Sequence, residues 1–325
     1  MKAPYSTLKL EPLLALFLCF LLCTCQPASD TSTKPAVPNE GVYLMILGVA
    51  QDAGYPQAGE RSEFKGIEEG TRKKQHTVSL SLVDQSNQKR YLFEATPDFR
   101  EQLEMADKVS TAAIYPFDGI FLTHAHMGHY TGLMHLGFEA MGTSQVPVYA
   151  MPRMKDYLAT NGPWSQLVDF KNILLRPLAD STDIKLSNEI SVMPFTVPHR
   201  DELSETVGYK IIVKGKTTVF IPDIDKWESW DVDILEVVKS NDYILIDASF
   251  FKDGELPGRD MSVIPHPFTT QSMAIMKDLP EKDKAKVYFI HANHSNPILD
   301  ETSSAHQQVL KAGFKIAFEG QIFIF

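Results

Sequence analysis

The segment FLTHAHMGHYTGL, residues 121–133, constrains this chain more than any other stretch. Three histidines, His124, His126 and His129, fall within six residues, at the end of an apolar run (118–123) that reads as a strand. Successive strand side chains point to opposite faces, so His124 and His126 can both turn inward only on an extended strand end or a loop. Imidazole is the commonest metal-binding side chain, and three clustered imidazoles suit zinc or another first-row divalent metal. With 10 histidines in 325 residues, such clustering is not what composition alone produces.

Composition narrows what could surround that segment. The length suffices for one large domain or two modest ones with a sizeable core. A net charge of −10 argues against nucleic-acid binding and against a polybasic grip on anionic lipid. All three cysteines, Cys19, Cys23 and Cys25, lie in the N-terminal apolar segment. The body from residue 26 onward therefore has no disulfide framework, no thiolate zinc site and no cysteine nucleophile.

Residues 1–25 read as a signal peptide. Lys2 and Lys9 give a positive start, and the apolar run 13–22 has the length of a signal-peptide core, too short to span a bilayer comfortably. The run closes on Leu22-Cys23-Thr24-Cys25, which resembles a bacterial lipoprotein cleavage box with Cys25 as the lipidated residue. A secretory signal cut somewhat later is the other reading. Residues 26–41 are rich in Pro, Ser and Thr and read as a flexible linker. The expected location is the periplasm or outer membrane of a bacterium, with the membrane touched only through the lipid anchor.

From residue 42 the pattern predicts strands over 42–50, 77–84, 89–93, 118–123, 146–150, 173–178, 190–194, 207–213, 217–222, 243–247 and 286–291, with a final strand pair within 316–325. Helices are expected near 97–106, 133–141, 154–160, 230–240, 270–279 and 303–312, and an exposed polar loop over 58–74. Strands outnumber helices in both halves without strict alternation, which favours an α/β sandwich over a doubly wound sheet.

Further metal-binding and acidic residues sit where strands end: His199, Asp223, Asp247, and the pair His291 and His294. Loops at strand ends are where a rigid scaffold presents chemistry. Asp52, in a small-residue loop after the first strand, can contact substrate or a metal-bound water, or simply bond its own turn. Asp98 reads as support for the first turn of its helix, and Asp247 as an acceptor for a ligand's ring N–H or as a direct ligand. His266, between Pro265 and Pro267, is rigidly held. Arg153 and Trp164 are candidates for the substrate pocket, with plain core an equal role for Trp164. Residues 152–178 are expected to cover the pocket. There is no Gly-x-Ser-x-Gly elbow and no lysine-bearing phosphate loop.

These pieces, with LGVAQDAGYPQ (47–57), EATPDF (94–99), PHRDELSETVGY (198–209), IPDIDKW (221–227) and FIHANHSNP (289–297), resemble the metallo-β-lactamase superfamily. Within it the chain is most similar to coenzyme PQQ synthesis protein B-like proteins. The resemblance implies an αββα sandwich over 42–325, two facing mixed β-sheets with helices on the outer faces. It implies a first metal site of His124, His126 and His199. A second would use His129, His291 and the residue before His129, with Asp223 bridging the two.

That preceding residue, usually Asp in the superfamily, is here Gly128, which supplies no ligand. Three outcomes are open: one metal, with His129 and His291 turned to substrate; two metals, with His294 or His266 as replacement ligand; or a different metal such as iron. Relatives can carry cysteines for a structural zinc after the first strand. Residues 58–70 have none, so none is expected.

The leading expectation is a zinc-dependent hydrolase of a small molecule, using a metal-activated water. One firm site would comprise His124, His126, His199 and Asp223, and the second site would be doubtful. Asp223, His129, His291 and His294 would orient substrate or move protons, and Asp52, His266, Arg153 and Trp164 would contact substrate. An iron-dependent oxygenase related to PQQ synthesis, or a non-catalytic metal-binding lipoprotein, are the alternatives.

Overall fold

The computed structural model describes Met1, residues 40–109 and residues 117–325. The signal peptide, the lipidated Cys25 and all but the last two residues of the linker lie outside the described residues. Among the described residues no helix is long and apolar enough to cross a membrane.

The chain builds two seven-stranded sheets. Strands β1 (Val42–Gly48), β2 (Ser79–Asp84), β3 (Lys89–Phe93), β4 (Gly119–Phe121), β5 (Val146–Ala150) and β6 (Ile173–Pro177) form the first in sequence order. The second runs through β7 (Ile184–Lys185), β8 (Ile190–Thr196), β9 (Val207–Val213), β10 (Lys216–Ile221), β11 (Tyr243–Asp247), β12 (Val287–Ile290) and β13 (Lys315–Ile316). Finally β14 (Ile322–Ile324) crosses back to pair antiparallel with β1. The expected terminal strand pair is therefore split between sheets. Each sheet is antiparallel at one end and parallel at the other, so both are mixed.

Alternation along the strands explains the layering. In β1, Leu44 and Ile46 join Phe93, Phe121, Tyr209, Ile211, Phe220 and Leu245 in the core between the sheets. Their neighbours Tyr43, Met45 and Leu47 pack outward with the helices Phe99–Val109 and Pro152–Thr160. On the second sheet, Val219, Ile221, Ile244 and Ile246 pack outward with the helices Ile234–Ser240 and Ser304–Lys311. Strands buried on both faces read as continuous apolar runs, and VYLMILG and YILID do so.

Local chemistry closes the elements. Lys214 and Gly215 both have positive φ in the two-residue turn between β9 and β10, as a hairpin that follows the strand twist requires. Asp233 and Ser303 cap their helices by accepting backbone N–H bonds. Two expectations fail. Residues 61–68 form a helix with no buried residue, not a loop. The expected helix over 133–141 is a 3-10 segment, Thr131–Leu136, and Phe138 beyond it is exposed. The helix expected near 97–106 is present and runs from Phe99 to Val109, its start set back to follow Thr96 Oγ1, which accepts the Asp98 N–H.

Candidate metal centre

The loops that close the strands meet at one edge of the sandwich. Glu94 follows β3, and the histidine segment follows β4. His199 lies beyond β8, Asp223 beyond β10, Asp247 ends β11, and His291 follows β12. The two sheets are joined at this edge. Tyr209 donates from its hydroxyl to the Leu122 carbonyl, and Val207 N donates to the Thr123 carbonyl at 3.2 Å. Ser204 Oγ accepts from Ala125 N at 2.9 Å. The loop after β1 crosses the same edge, with Gln51 N donating to the Ala292 carbonyl at 2.8 Å and Ala292 N to the Val49 carbonyl at 2.9 Å.

Three sets of side chains converge there, and Asp223 belongs to all three. They are His124, His126, His199 and Asp223; Asp52, His129, Asp223 and His291; and Asp223, Asp247 and His266. Within each set the donor atoms lie within 4.8 Å of one another. His124 Nε2 is 2.8 Å from His126 Nδ1 and 3.4 Å from Asp223 Oδ2. His199 Nε2 is 3.6 Å from Asp223 Oδ1. In the second set, Asp223 Oδ2 lies 2.9 Å from His129 Nε2 and 3.4 Å from His291 Nε2. With metal–ligand bonds of about 2.1 Å, the edge of a coordination tetrahedron is about 3.4 Å.

The donor set fits a divalent metal. His199 Nε2, His291 Nε2 and Asp223 Oδ1 are buried without a hydrogen-bond partner among the described residues. An unsatisfied buried polar group costs roughly 1–3 kcal/mol, and three of them aimed at one place are accounted for by a shared cation.

The outer partners fix which nitrogen faces inward. His129 Nδ1 bonds Glu94 Oε2 at 2.6 Å, and His199 Nδ1 bonds Asp225 Oδ1 at 3.1 Å. His124 Nδ1 lies 2.9 Å from Thr123 Oγ1, and His291 Nδ1 3.1 Å from Ser249 Oγ. Ser249 Oγ in turn donates to Asp247 Oδ1 at 2.8 Å. Holding Nδ1–H on an acceptor leaves the Nε2 lone pair free and raises its basicity. Glu94 and His291 adopt left-handed backbone, φ 73° and 64°. For Glu94 this is a sparsely populated conformation of the kind held at functional sites.

Burial, then the neighbouring His129, pulls His124 well below the ordinary histidine range, and burial brings His126 down to about 4. Both imidazoles stay neutral, the form that binds metal. Burial opposes the charge on Asp223, but His291 and His199 more than offset it and hold the carboxyl well below its usual range. Burial likewise opposes Asp247, yet His266 brings it to about 2. The Nδ1 of His266 lies 2.7 Å from Asp247 Oδ2. That carboxylate outweighs burial and lifts His266 to about 9.

Residues 89–292 match the family described as "Beta-lactamase superfamily domain". The chain belongs to the metallo-β-lactamase superfamily. Coenzyme PQQ synthesis protein B of Methylococcus capsulatus is 26% identical over 313 residues, 86% of this chain and 98% of that protein. Its namesake from Klebsiella pneumoniae is 24% identical over 308 residues, 86% of this chain and 97% of that one. Zinc-bound PqqB from Methylobacterium extorquens shares the fold, with a TM-score of 0.72 at 20% identity, covering 87% of this chain and 100% of that chain. A diphosphatase of the PhnP family does so with a TM-score of 0.59 at 22% identity, covering 87% and 97%. The two mixed sheets with outer helices are this superfamily's fold, the αββα sandwich expected from the sequence.

Among the expected site residues, the superfamily's strand-end positions all meet: His124, His126, His129, His199, Asp223 and His291. His266 joins Asp223 and Asp247, and also lines a cavity of about 540 Å³ beside the centre, with Asp52, Arg200, Phe250, Arg259 and His294. His294 stands outside the three sets and bonds Glu63 Oε1 at 2.7 Å. Arg153 and Trp164 are not among the residues that line this cavity. The Arg153 guanidinium bonds the carbonyls of Asp201 and Glu202 at 2.7 and 3.2 Å, bracing the loop beyond His199. Trp164 packs on Tyr130, ring centres 4.9 Å apart, on the outer face of the first sheet, as do the neighbouring helices expected to cover the pocket. The Asp98 carboxylate reaches out of its helix, its Oδ2 accepting from Thr77 N at 2.8 Å.

Four residues of the centre were not singled out from sequence: Glu94, Thr123, Asp225 and Ser249. For Glu94 the signal was available, an acid directly after the apolar run YLF.

Proposed function

We propose that the chain is a metal-dependent hydrolase acting on an anionic small molecule, with zinc as its metal. The observation that carries this is the convergence of buried, unpartnered Nε2 and carboxylate atoms beside a cavity of about 540 Å³ that Asp52 and His266 line. His124, His126, His199 and Asp223 would hold one metal, with His129 and His291 beside it. When bound there, a divalent metal supplies polarisation of a substrate oxygen and lowers the pKa of its water toward about 7. Asp223 and the imidazoles orient that centre. His266, backed by Asp247 and lining the cavity, would hold a proton for the leaving group. Arg200 and Arg259 line the cavity and form no ion pair among the described residues, which favours a carboxylate or phosphate on the substrate.

The test is hydrolysis of a panel of phosphodiester, phosphomonoester, lactone, thioester and β-lactam probes by the zinc-loaded chain. Activity on an anionic probe, lost with chelator and with His199→Ala, is the expected result. In Arg259→Gln, KM for that probe rises at least about 10-fold with unchanged metal content. Zinc loading without turnover of any probe would count against a hydrolase.

The near full-length similarity to coenzyme PQQ synthesis protein B supports a second reading, an iron-dependent oxygenase related to PQQ synthesis. Stoichiometric iron with substrate-dependent oxygen uptake would favour it. A binding lipoprotein with no turnover is the reading left if both assays are blank. We further propose export to the periplasm and lipidation at Cys25, which metabolic labelling with a fatty acid would reveal and Cys25→Ala would abolish.

A further inference from the structure

The loop after β1 brings a carboxylate into the space that position 128 leaves. Gly128 lies in the turn between His126 and His129. A Cβ there would fall 2.4 Å from Cα and 2.5 Å from Oδ1 of Asp52. Real atoms do not approach so closely, and the first of these is main chain, so only glycine fits while the loop keeps its place. The same packing that excludes a side chain at 128 puts Asp52 Oδ1 3.1 Å from His129 Nε2. Asp52 thereby joins His129, Asp223 and His291 as a set of convergent donors, and His291 Nε2 in that set is buried and unpartnered.

We propose that Asp52 is the carboxylate ligand of a second metal site, completed by His129, His291 and the shared Asp223. The inference rests on the metal-binding reading of the centre and extends it from one metal to two. It also selects among the replacement ligands open from the sequence. His294 is held by Glu63 outside the set, and His266 belongs with Asp247. Charge supports the choice. Without Asp52, Asp223 alone would face two dications; with it, each cation has a carboxylate.

The loop is built for the role. Gln51 N is bonded to the Ala292 carbonyl, Gly54 N to the Gln51 carbonyl at 2.8 Å, and Thr77 Oγ1 lies 3.4 Å from the Asp52 carbonyl. Thr77 is in turn fixed by Asp98. Such support keeps a ligand in position before the metal arrives. Asp52 also lies outside residues 89–292, the stretch that matches the family.

The experiment is zinc and cobalt titration of the full-length, chelator-stripped chain, read as equivalents by elemental analysis and as cobalt visible spectra. Wild type is expected to take up two equivalents. Asp52→Ala is expected to retain one and to bind the second on the order of 100-fold more weakly or worse. Gly128→Ala, which displaces the loop without removing a donor, is expected to do the same. His126→Ala should weaken the other site and leave the Asp52-dependent cobalt band. Asp52→Ala indistinguishable from wild type, whether both hold one metal or two, would overturn the proposal and leave a metal centre standing. Wild type that takes up no metal at any loading would overturn both the metal reading and this inference.

Discussion

The two halves of the centre are built differently. The half around His199 takes its donors from the loops after β4, β8 and β10, and its outer partner Asp225 is partly open to solvent. The imidazoles and the outer partner of the half around His129 lie deeper. His129, His291 and Glu94 are fully buried, two of these three carry left-handed backbone, and the carboxylate facing them arrives from the loop after β1. The first half is therefore assembled by strand ends alone. The second depends on a loop packed against a glycine, and small displacements of that loop change its chemistry without touching the first.

Asp223 is where the halves meet, so its loss should erase the difference between them. Asp223→Ala is expected to weaken zinc at both sites by more than about 100-fold, with retained far-UV circular dichroism. A variant that still holds a full equivalent after desalting would show that the halves do not share this ligand.

The outer partners should separate the halves. Glu94→Gln is expected to weaken metal binding about 10- to 100-fold at the His129 half. It should also destabilise the fold by roughly 1–3 kcal/mol in denaturant titrations, because the buried ring N–H loses a charged acceptor. Asp225→Asn should act only on the His199 half and more weakly, since water can replace the lost acceptor. Equal effects at both positions would contradict the difference in depth.

The smallest effect concerns the base of the β1 loop. The His76 carbonyl accepts from both Val49 N and Ala50 N at 2.9 Å, and its ring Nδ1 lies 3.0 Å from Glu319 Oε2. Burial opposes the charge on His76, but Glu319 wins and raises its pKa. A histidine raised in the folded state contributes stability that is complete below its unfolded value, near 6.5, and is lost as pH climbs through the folded value. Glu319→Gln should therefore cost under about 1 kcal/mol near pH 6 and less near pH 9. A penalty that grows with pH would break this account of the loop.

Much of this was legible in the sequence because buried strands announce their own ends. Apolar runs such as YILID stop at the residue that enters the site, so Asp223, Asp247, His199 and His291 could be read as neighbours without coordinates. The helix Arg61–Glu68 was not legible, since a helix with no buried face has no apolar stripe to betray it. Within the helix expected over 133–141 the opposite holds: Phe138 is an apolar residue that faces solvent. Gly128 was legible as a missing ligand. That Asp52 fills the gap was not, because the information lies in a contact between main chains far apart in sequence.

That contact also orders events in time. Asp52 sits near the start of the folded region, His129 before its middle and His291 near its end, and β14, which flanks β1, comes last of all. The Asp52 set is a long-range assembly of the kind that forms late in folding. A chain emerging from synthesis can gather His124, His126 and His129 early. It cannot present Asp52 and His291 to the same ion until nearly all of it has been made and the two sheets have docked, so a filled second site would serve as a marker of finished folding.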